Sequence, residues 1–349
     1  MKRILALTLS ILTALTITAC SGNSQSSTSP AGSSVDSSTG TALKDSKTLM
    51  IAHVMSEADP YHLGVKKFAD LVAEKTDGRI NFTIYSNGQL GAERDITEGV
   101  SMGTVDMAII TNAFCVNMAP QMGVLDFPYL FRDHEEAYKI LDSEIGTELF
   151  TYLEASNIKG LAYMENGFRN LTTTKYPVTD PAQLKGMKIR TMETPVHLAA
   201  FNAAGANATP MAASELFTSL QQGAVDGQEN PLKSIYDYKF YEVTPYINMT
   251  EHFYSSANLI MNLDVWNSLS AEDQQIFLDC AKEATDYQRD SCAKREIEVK
   301  QLLQDAGCTI SENIDKEKWA EAMSPVYKDE NMLSQYGVYL DKIKAALGR

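Results

Sequence analysis

One stretch limits the fold more than any other: between Ser270 and Gly307 the chain holds neither glycine nor proline. Ser270 with Asp273 three positions later has the form of a helix-opening capping box. A helix over about 271–306 would be about 54 Å long. That exceeds what one lobe of ordinary size requires, so the segment is expected to run across two.

Ahead of it the pattern alternates. KTLMIAHVM at 47–55, RINFTIYS at 79–86 and TVDMAII at 104–110 read as strands, with the amphipathic helices PYHLGVKKFADLVAEKTDG and ERDITEGVSMG between them. This β-α-β-α-β order implies an α/β unit on a largely parallel sheet. A second set follows: NIKGLAYM, FRNLTTTK and GMKIRT as strands, PVHLAAFNAAG and SELFTSLQQG as helices, and AVDGQEN as a last strand. Both sets carry G-[TA]-V-D where a helix gives way to a strand. Gly103 and Gly223 suit a left-handed helix end, and Asp106 and Asp226 stand at the strand starts. Two similarly built lobes are expected. KEKWAEAMSPVYKDE and LSQYGVYLDKIKAAL read as C-terminal helices.

The first residues lie outside this pattern. Lys2 and Arg3 precede an apolar run from Ile4 to Ile17, then Thr18, Ala19 and Cys20, the form of an export signal. The run is too short and wrongly flanked for a membrane-spanning helix. ITAC resembles a bacterial lipobox, which implies a lipoprotein signal peptide over 1–19 and a lipid on Cys20. The Ser/Gly-rich stretch 20–46 has almost no large apolar side chains and is expected to be a flexible tether. The protein is therefore expected to be exported, either lipid-anchored to the outer face of the cell membrane or periplasmic.

Removing Lys2 and Arg3 from the 30 basic residues leaves 28 against 45 acidic ones. No basic cluster offsets this, which argues against a nucleic-acid partner. Cys115, Cys280, Cys292 and Cys308 have no metal-ligand spacing. Cys280 and Cys292 fall on the long helix about 18 Å apart, too far to bridge, so free thiols are expected. No HExxH, GxSxG, Walker or GxGxxG string occurs, and neither an enzyme, a metal nor a cofactor is indicated.

An acidic protein that binds an anion must build a local positive site. In LKGMKIRT at 184–191 the alternation of a half-buried strand carries Arg190. ENGFRNLTTT places Arg169 in a similar setting, and Pro231 holds Asn230 extended. A guanidinium offers a rigid fork of donors that matches a carboxylate. Without a nearby protein carboxylate a buried one costs several kcal/mol, and an anionic ligand offsets that.

QLGAERD, ENGFRN, LKGMKIR and above all TPMAASELFTSLQQGAVDGQENP resemble the solute-binding proteins of the tripartite ATP-independent periplasmic (TRAP) transporters, the DctP family. The resemblance runs from about Lys47 to Leu347. It implies an α/β, two-lobed periplasmic-binding-protein-like fold with a long interdomain helix. Lobe I would comprise 47–166 plus 256–296, and lobe II 167–255 plus 297–349. It also implies a non-enzymatic, monomeric protein that closes on a small organic acid and delivers it to the membrane subunits of a TRAP transporter.

Carried over by position, Arg190 matches the arginine that pairs with the ligand carboxylate, Arg169 a second arginine beside it, and Asn230 an asparagine bonding the carboxylate from the far side. Glu93, Thr111, Asn112 and His53 are expected to reach the cleft from the first lobe, with Tyr236 and Phe114 as stacking surfaces. Glu93 also suits a helix N-terminus. An acidic side chain among neutral donors suits hydroxyls better than a second negative end. A hexuronate such as D-glucuronate or D-galacturonate is therefore favoured over a C4-dicarboxylate or sialic acid. Arg94, if turned inward, keeps dicarboxylates open. A ligand-sensing lobe for a membrane receptor is the other reading.

Overall fold

The computed structural model describes residues 46–349. The signal peptide and Cys20 fall outside these residues, as does the tether up to residue 45. The first unit runs β1 (Lys47–Ala52), α1 (Pro60–Lys75), β2 (Ile80–Tyr85), α2 (Glu93–Met102) and β3 (Met107–Thr111). Then come α3 (Asn112–Met118), α4 (His134–Leu141), α5 (Glu144–Thr151) and the long β4 (Ile158–Thr173). The second unit repeats the order as β5 (Lys188–Thr191), α6 (Pro195–Ala203), β6 (Asn207–Pro210), α7 (Ala213–Gln221) and β7 (Gly227–Asn230). After α8 (Leu232–Asp237) come β8 (Tyr246–Asn262), α9 (Leu263–Asn267), α10 (Ala271–Asp305), β9 (Thr309–Ser311), α11 (Lys316–Met323) and α12 (Glu330–Ala346).

Among the described residues the strands form one sheet in the order β2-β1-β3-β8-β4-β7-β5-β6, with β9 beside β8. β1 pairs in parallel with β2 and β3, and β5 likewise with β6 and β7. The two units are thus wound alike at opposite ends. They are joined through β4 and β8, which pair antiparallel to each other along most of their length.

The G-[TA]-V-D strings do equivalent work in the two units. Gly103 and Gly223 adopt φ of 77° and 70°, the left-handed region that glycine enters without a Cβ penalty. Three residues on, Asp106 Oδ2 accepts from Met50 N at 2.8 Å, and Asp226 Oδ2 accepts from Lys188 N at 3.0 Å. Each carboxylate therefore bonds the backbone of the unit's first strand.

Several expectations are corrected. NIKGLAYM and FRNLTTTK are one strand, not two. Asn166-Gly167 reads as a turn in sequence, but Gly167 at φ 118° serves a bulge at which Glu165 still pairs with Ser256 and Gly167 with Ser255. The pattern also conceals β8, which is buried almost throughout on both faces and so lacks alternation. It conceals β6 too, a four-residue strand ending in proline. β5 is not half-buried: beyond exposed Lys188, the residues Ile189, Arg190 and Thr191 are all buried between β6 and β7.

The long helix forms as expected. α10 packs Phe277, Cys280, Ala281 and Ala284 into the core of α1 and the first strands. Further on it packs Val299 and Leu303 against Leu232 and Ile247 of the second. Between these ends Gln288 holds the β4 bulge, donating to Glu165 O at 2.7 Å and accepting from Glu165 N at 2.8 Å. α12, grouped by sequence with the second lobe, packs Tyr336, Leu340 and Ile343 into the core that holds Phe127 and Leu149. Cys115, Cys280, Cys292 and Cys308 are free thiols, the last only partly buried.

Candidate functional site

The strand order brings the C-terminal ends of the parallel strands of both units to one cavity of about 640 Å³. This is where open α/β sheets offer loops and helix starts to a ligand. The first unit contributes Val54, Met55, the start of α2 from Ala92 to Asp95, and Thr111 with Phe114. β4 contributes Asn166 and Arg169. The second unit contributes Arg190, Met192, Glu193, the start of α7, Asn230 and Tyr238.

Arg190 and Arg169 are each only 1 % exposed, yet their partners differ. Arg169 grips Glu229 with Nε to Oε2 at 2.5 Å and Nη2 to Oε1 at 2.9 Å. Nη2 also donates to Asn230 Oδ1 at 3.0 Å. Burial alone would push the Glu229 carboxyl up, but Arg169 and the His252 imidazole outweigh it and hold it well below the usual carboxylate range.

Arg190 has no carboxylate partner among the described residues. Its Nε and Nη2 donate to Met211 O at 2.9 and 2.5 Å, and Nη1 to Met192 Sδ at 3.8 Å. Burial lowers its pKa to about 10, with Glu229 opposing and Arg169 adding to the shift. It stays cationic at neutral pH. A buried cation satisfied only by a carbonyl and a thioether can accept an anion.

Glu93 opens α2 and accepts from Thr111 N at 2.7 Å and Thr111 Oγ1 at 2.8 Å, both through Oε1. Burial pushes its carboxyl up, against those two bonds and the pull of both arginines. Asn230 Nδ2 donates to Gln228 Oε1 at 2.5 Å. Links between the two units flank the cavity. Lys233 pairs with Asp59 at 3.1 Å, and Tyr238 Oη meets Met55 Sδ at 3.4 Å.

The sequence profile of the bacterial extracellular solute-binding proteins, family 7 (DctP), matches residues 51–333. The chain belongs to this family. It is 35% identical over 283 residues to the 2,3-diketo-L-gulonate-binding periplasmic protein YiaO of Escherichia coli, covering 81% of this chain and 86% of that one. Among solved structures it resembles a TRAP periplasmic solute-binding protein from Polaromonas sp. JS666 bound to D-erythronate, with a TM-score of 0.82 and 36% identity over 86% of this chain and 97% of that one. It also resembles one from Sulfitobacter sp. NAS-14.1 bound to β-D-galacturonate, with a TM-score of 0.81 and 30% identity over 85% and 98%. The fold is that of the family's two-lobed α/β binding proteins, whose role is transport outside the cytoplasm.

In this family-7 chain the cavity brings together Arg190, Arg169, Asn230, Glu93, Thr111 and Phe114, with Arg94 turned toward Glu193. Three expected residues do not line it. Asn112 is fully buried and uses both amide ends on protein, donating to Asp126 Oδ1 at 2.9 Å and accepting from Asn258 Nδ2 at 3.1 Å. His53 is buried against His62, with Nε2 and Nδ1 3.1 Å apart. Burial and His62 lower the His53 pKa to about 4. Tyr236 stacks on Tyr241 instead, with ring centres 5.4 Å apart. The tyrosines that do line the cavity are Tyr61 and Tyr238, the latter two positions after Tyr236 and past the end of α8. Glu229, which adjoins Asn230, is a further residue of the site, and its sequence signal is that an acid in a buried strand demands a cation, here Arg169.

Proposed function

We propose that Arg190 seats the carboxylate of a hydroxylated monocarboxylic acid of the hexuronate type, such as D-glucuronate or D-galacturonate, which the protein carries to the membrane subunits of a TRAP transporter. One observation carries the reading: Arg190 is a buried cation whose nearest acceptors are uncharged. Glu93, destabilised as an anion by burial, is better matched by ligand hydroxyls than by a second carboxylate. The acids bound by the similar proteins, D-erythronate, galacturonate and 2,3-diketo-L-gulonate, support this class.

Binding involves no bond-breaking. Closure of the lobes excludes water, strengthens each charge-assisted hydrogen bond, and is driven by the ligand's greater affinity for the closed form. The lobes are taken as 47–166 plus 256–296 and 167–255 plus the segment after 296, with α12 riding on the first. The boundary then falls at the β4 bulge. Export, a lipid on Cys20, a tether and a monomeric state complete the reading.

Thermal melts of the purified protein with sugar acids, C4-dicarboxylates, 2-oxo acids and sialic acid test it. A hexuronate at a hundred times its Kd adds about 2.7 kcal/mol, a rise of several degrees, and Arg190→Ala abolishes that rise while remaining folded. A rise with dicarboxylates alone, or one retained in Arg190→Ala, would overturn it.

A further inference from the structure

Arg94 and Glu193 meet across the cavity. Arg94, the second residue of α2, donates from Nη2 to Glu193 Oε2 at 2.9 Å. Glu193 lies just beyond the end of β5, three residues after Arg190. The two come from different β-α-β-α-β units, and both line the cavity.

Among the described lining residues there are three arginines, and their partners differ. Arg169 is answered by Glu229 and Arg94 by Glu193, whereas Arg190 is answered by no carboxylate. The remaining charged lining groups, Glu93, Asp95 and Glu215, are all acids. A ligand whose first carboxylate sits on Arg190 could place a second only at Arg94. There it would stand beside Glu193, charge against like charge.

We propose that Glu193 is a specificity-determining residue. By occupying Arg94 it stands in for the second carboxylate of a dicarboxylic acid and restricts the site to acids with one. This rests on the reading of Arg190 as the seat of the first carboxylate. The side chains of Arg94 and Glu193 are 46% and 28% exposed, so the pair adds little to folding and acts on ligand choice. A neutral residue at 193 frees Arg94 and converts the cavity into one with two separated cationic sites.

Isothermal titration of the wild type, Glu193→Gln, and the double variant Arg94→Gln with Glu193→Gln decides it, using D-galacturonate and succinate as probes. Glu193→Gln is expected to shift the ratio of the two Kd values at least tenfold toward succinate, and the double variant to lose that gain. An unchanged ratio in Glu193→Gln, or a gain that survives removal of Arg94, overturns the proposal. A wild type that binds no galacturonate counts instead against the hexuronate reading. Succinate then decides the role of Glu193 by itself: a tenfold gain supports it and no gain overturns it.

Discussion

Arg190 directs two of its donors at one carbonyl oxygen, that of Met211, with Nε at 2.9 Å and Nη2 at 2.5 Å. A carbonyl satisfies hydrogen bonds but cannot cancel a charge. Beside it, Arg169 has its charge cancelled by the buried Glu229 carboxylate. Of the two fully buried arginines of the cavity, one is thus neutralised and the other is not. This asymmetry is what the proposed reading rests on, because an unneutralised buried cation is where an anion gains most.

Replacing Arg190 by lysine tests whether the fork or only the charge matters. Lysine keeps a cation but offers a compact ammonium in place of planar paired donors. Arg190→Lys is expected to weaken hexuronate binding by about 10–100-fold, equivalent to about 1.4–2.8 kcal/mol, with thermal stability in the absence of ligand near the wild-type value. Calorimetric titration of both proteins reads it, and equal affinities would show that charge alone holds the ligand.

Asp126 predicts a pH effect. Its Oδ1 accepts from Asn112 Nδ2 at 2.9 Å, while its buried Oδ2 has no hydrogen-bond partner. Burial raises its pKa to about 7, against the Asn112 bond and Arg169. The folded value lies above the unfolded one, so the folded state holds the proton more tightly. Stability from this source is full below about pH 4 and is lost as pH rises toward 7. Asp126→Asn removes the titration. Its stability relative to wild type should rise by about 2–4 kcal/mol between pH 5 and pH 8. The difference between the proteins is the quantity to measure, by denaturant unfolding at both pH values. Buried His53 and His197, whose pKa values are lowered, act in the opposite direction in both proteins. A constant difference would mean that Asp126 does not titrate in this range.

The sequence made the strand of Arg190, the β-α-β-α-β order of the first unit and the long helix legible because each is a local signal: a short apolar pattern, a succession of such patterns, a run without breakers. What it hid is non-local or double-faced. The acceptor of Arg190 lies 21 residues away as a main-chain carbonyl, which no side-chain pattern reveals. β8 is buried on both faces, so its polar residues pair with other buried groups and break the expected period. Asn258, for example, donates to Asn112. Asn166-Gly167 has the composition of a turn, and only pairing with β8 makes it a bulge. Tyr236 and Tyr238 differ by two positions at a helix end, where the last turn decides which ring reaches the cavity.

The two G-[TA]-V-D aspartates give a paired prediction. Asp106 accepts from Met50 N and Asp226 from Lys188 N, each bond to a backbone N–H of the unit's first strand. Asp106→Ala leaves the N–H of Met50, a partly buried residue, without its acceptor and is expected to cost about 1–2 kcal/mol. Asp226→Ala exposes a more solvated N–H, since Lys188 is exposed, and should cost less, about 0.5–1 kcal/mol. Urea midpoints of the two variants report the order. A larger loss for Asp226→Ala would contradict the assignment of these bonds as equivalent and graded by burial.

Gly167 gives the last prediction. At φ 118° it occupies a conformation that side-chain-bearing residues rarely adopt, at the bulge between Glu165 and Gly167, which holds Asn166 of the cavity and lies two residues before Arg169. A Cβ there would meet Pro231 Cβ at 3.5 Å, an ordinary contact, so the cost of Gly167→Ala lies in the backbone and not in crowding. That cost is about 1–3 kcal/mol. Relief of the strain would rotate the β4 backbone two residues from Arg169, so ligand affinity should fall along with stability. Gly186→Ala is the control. It too has positive φ, at 77°, and its Cβ would have no neighbour within 4 Å. It should lower thermal stability while leaving affinity unchanged, because the Gly186 turn adjoins no cavity residue. Melting curves and titrations on both variants separate the outcomes. Equal affinity in Gly167→Ala and wild type would show that the bulge shapes the strand without setting the site.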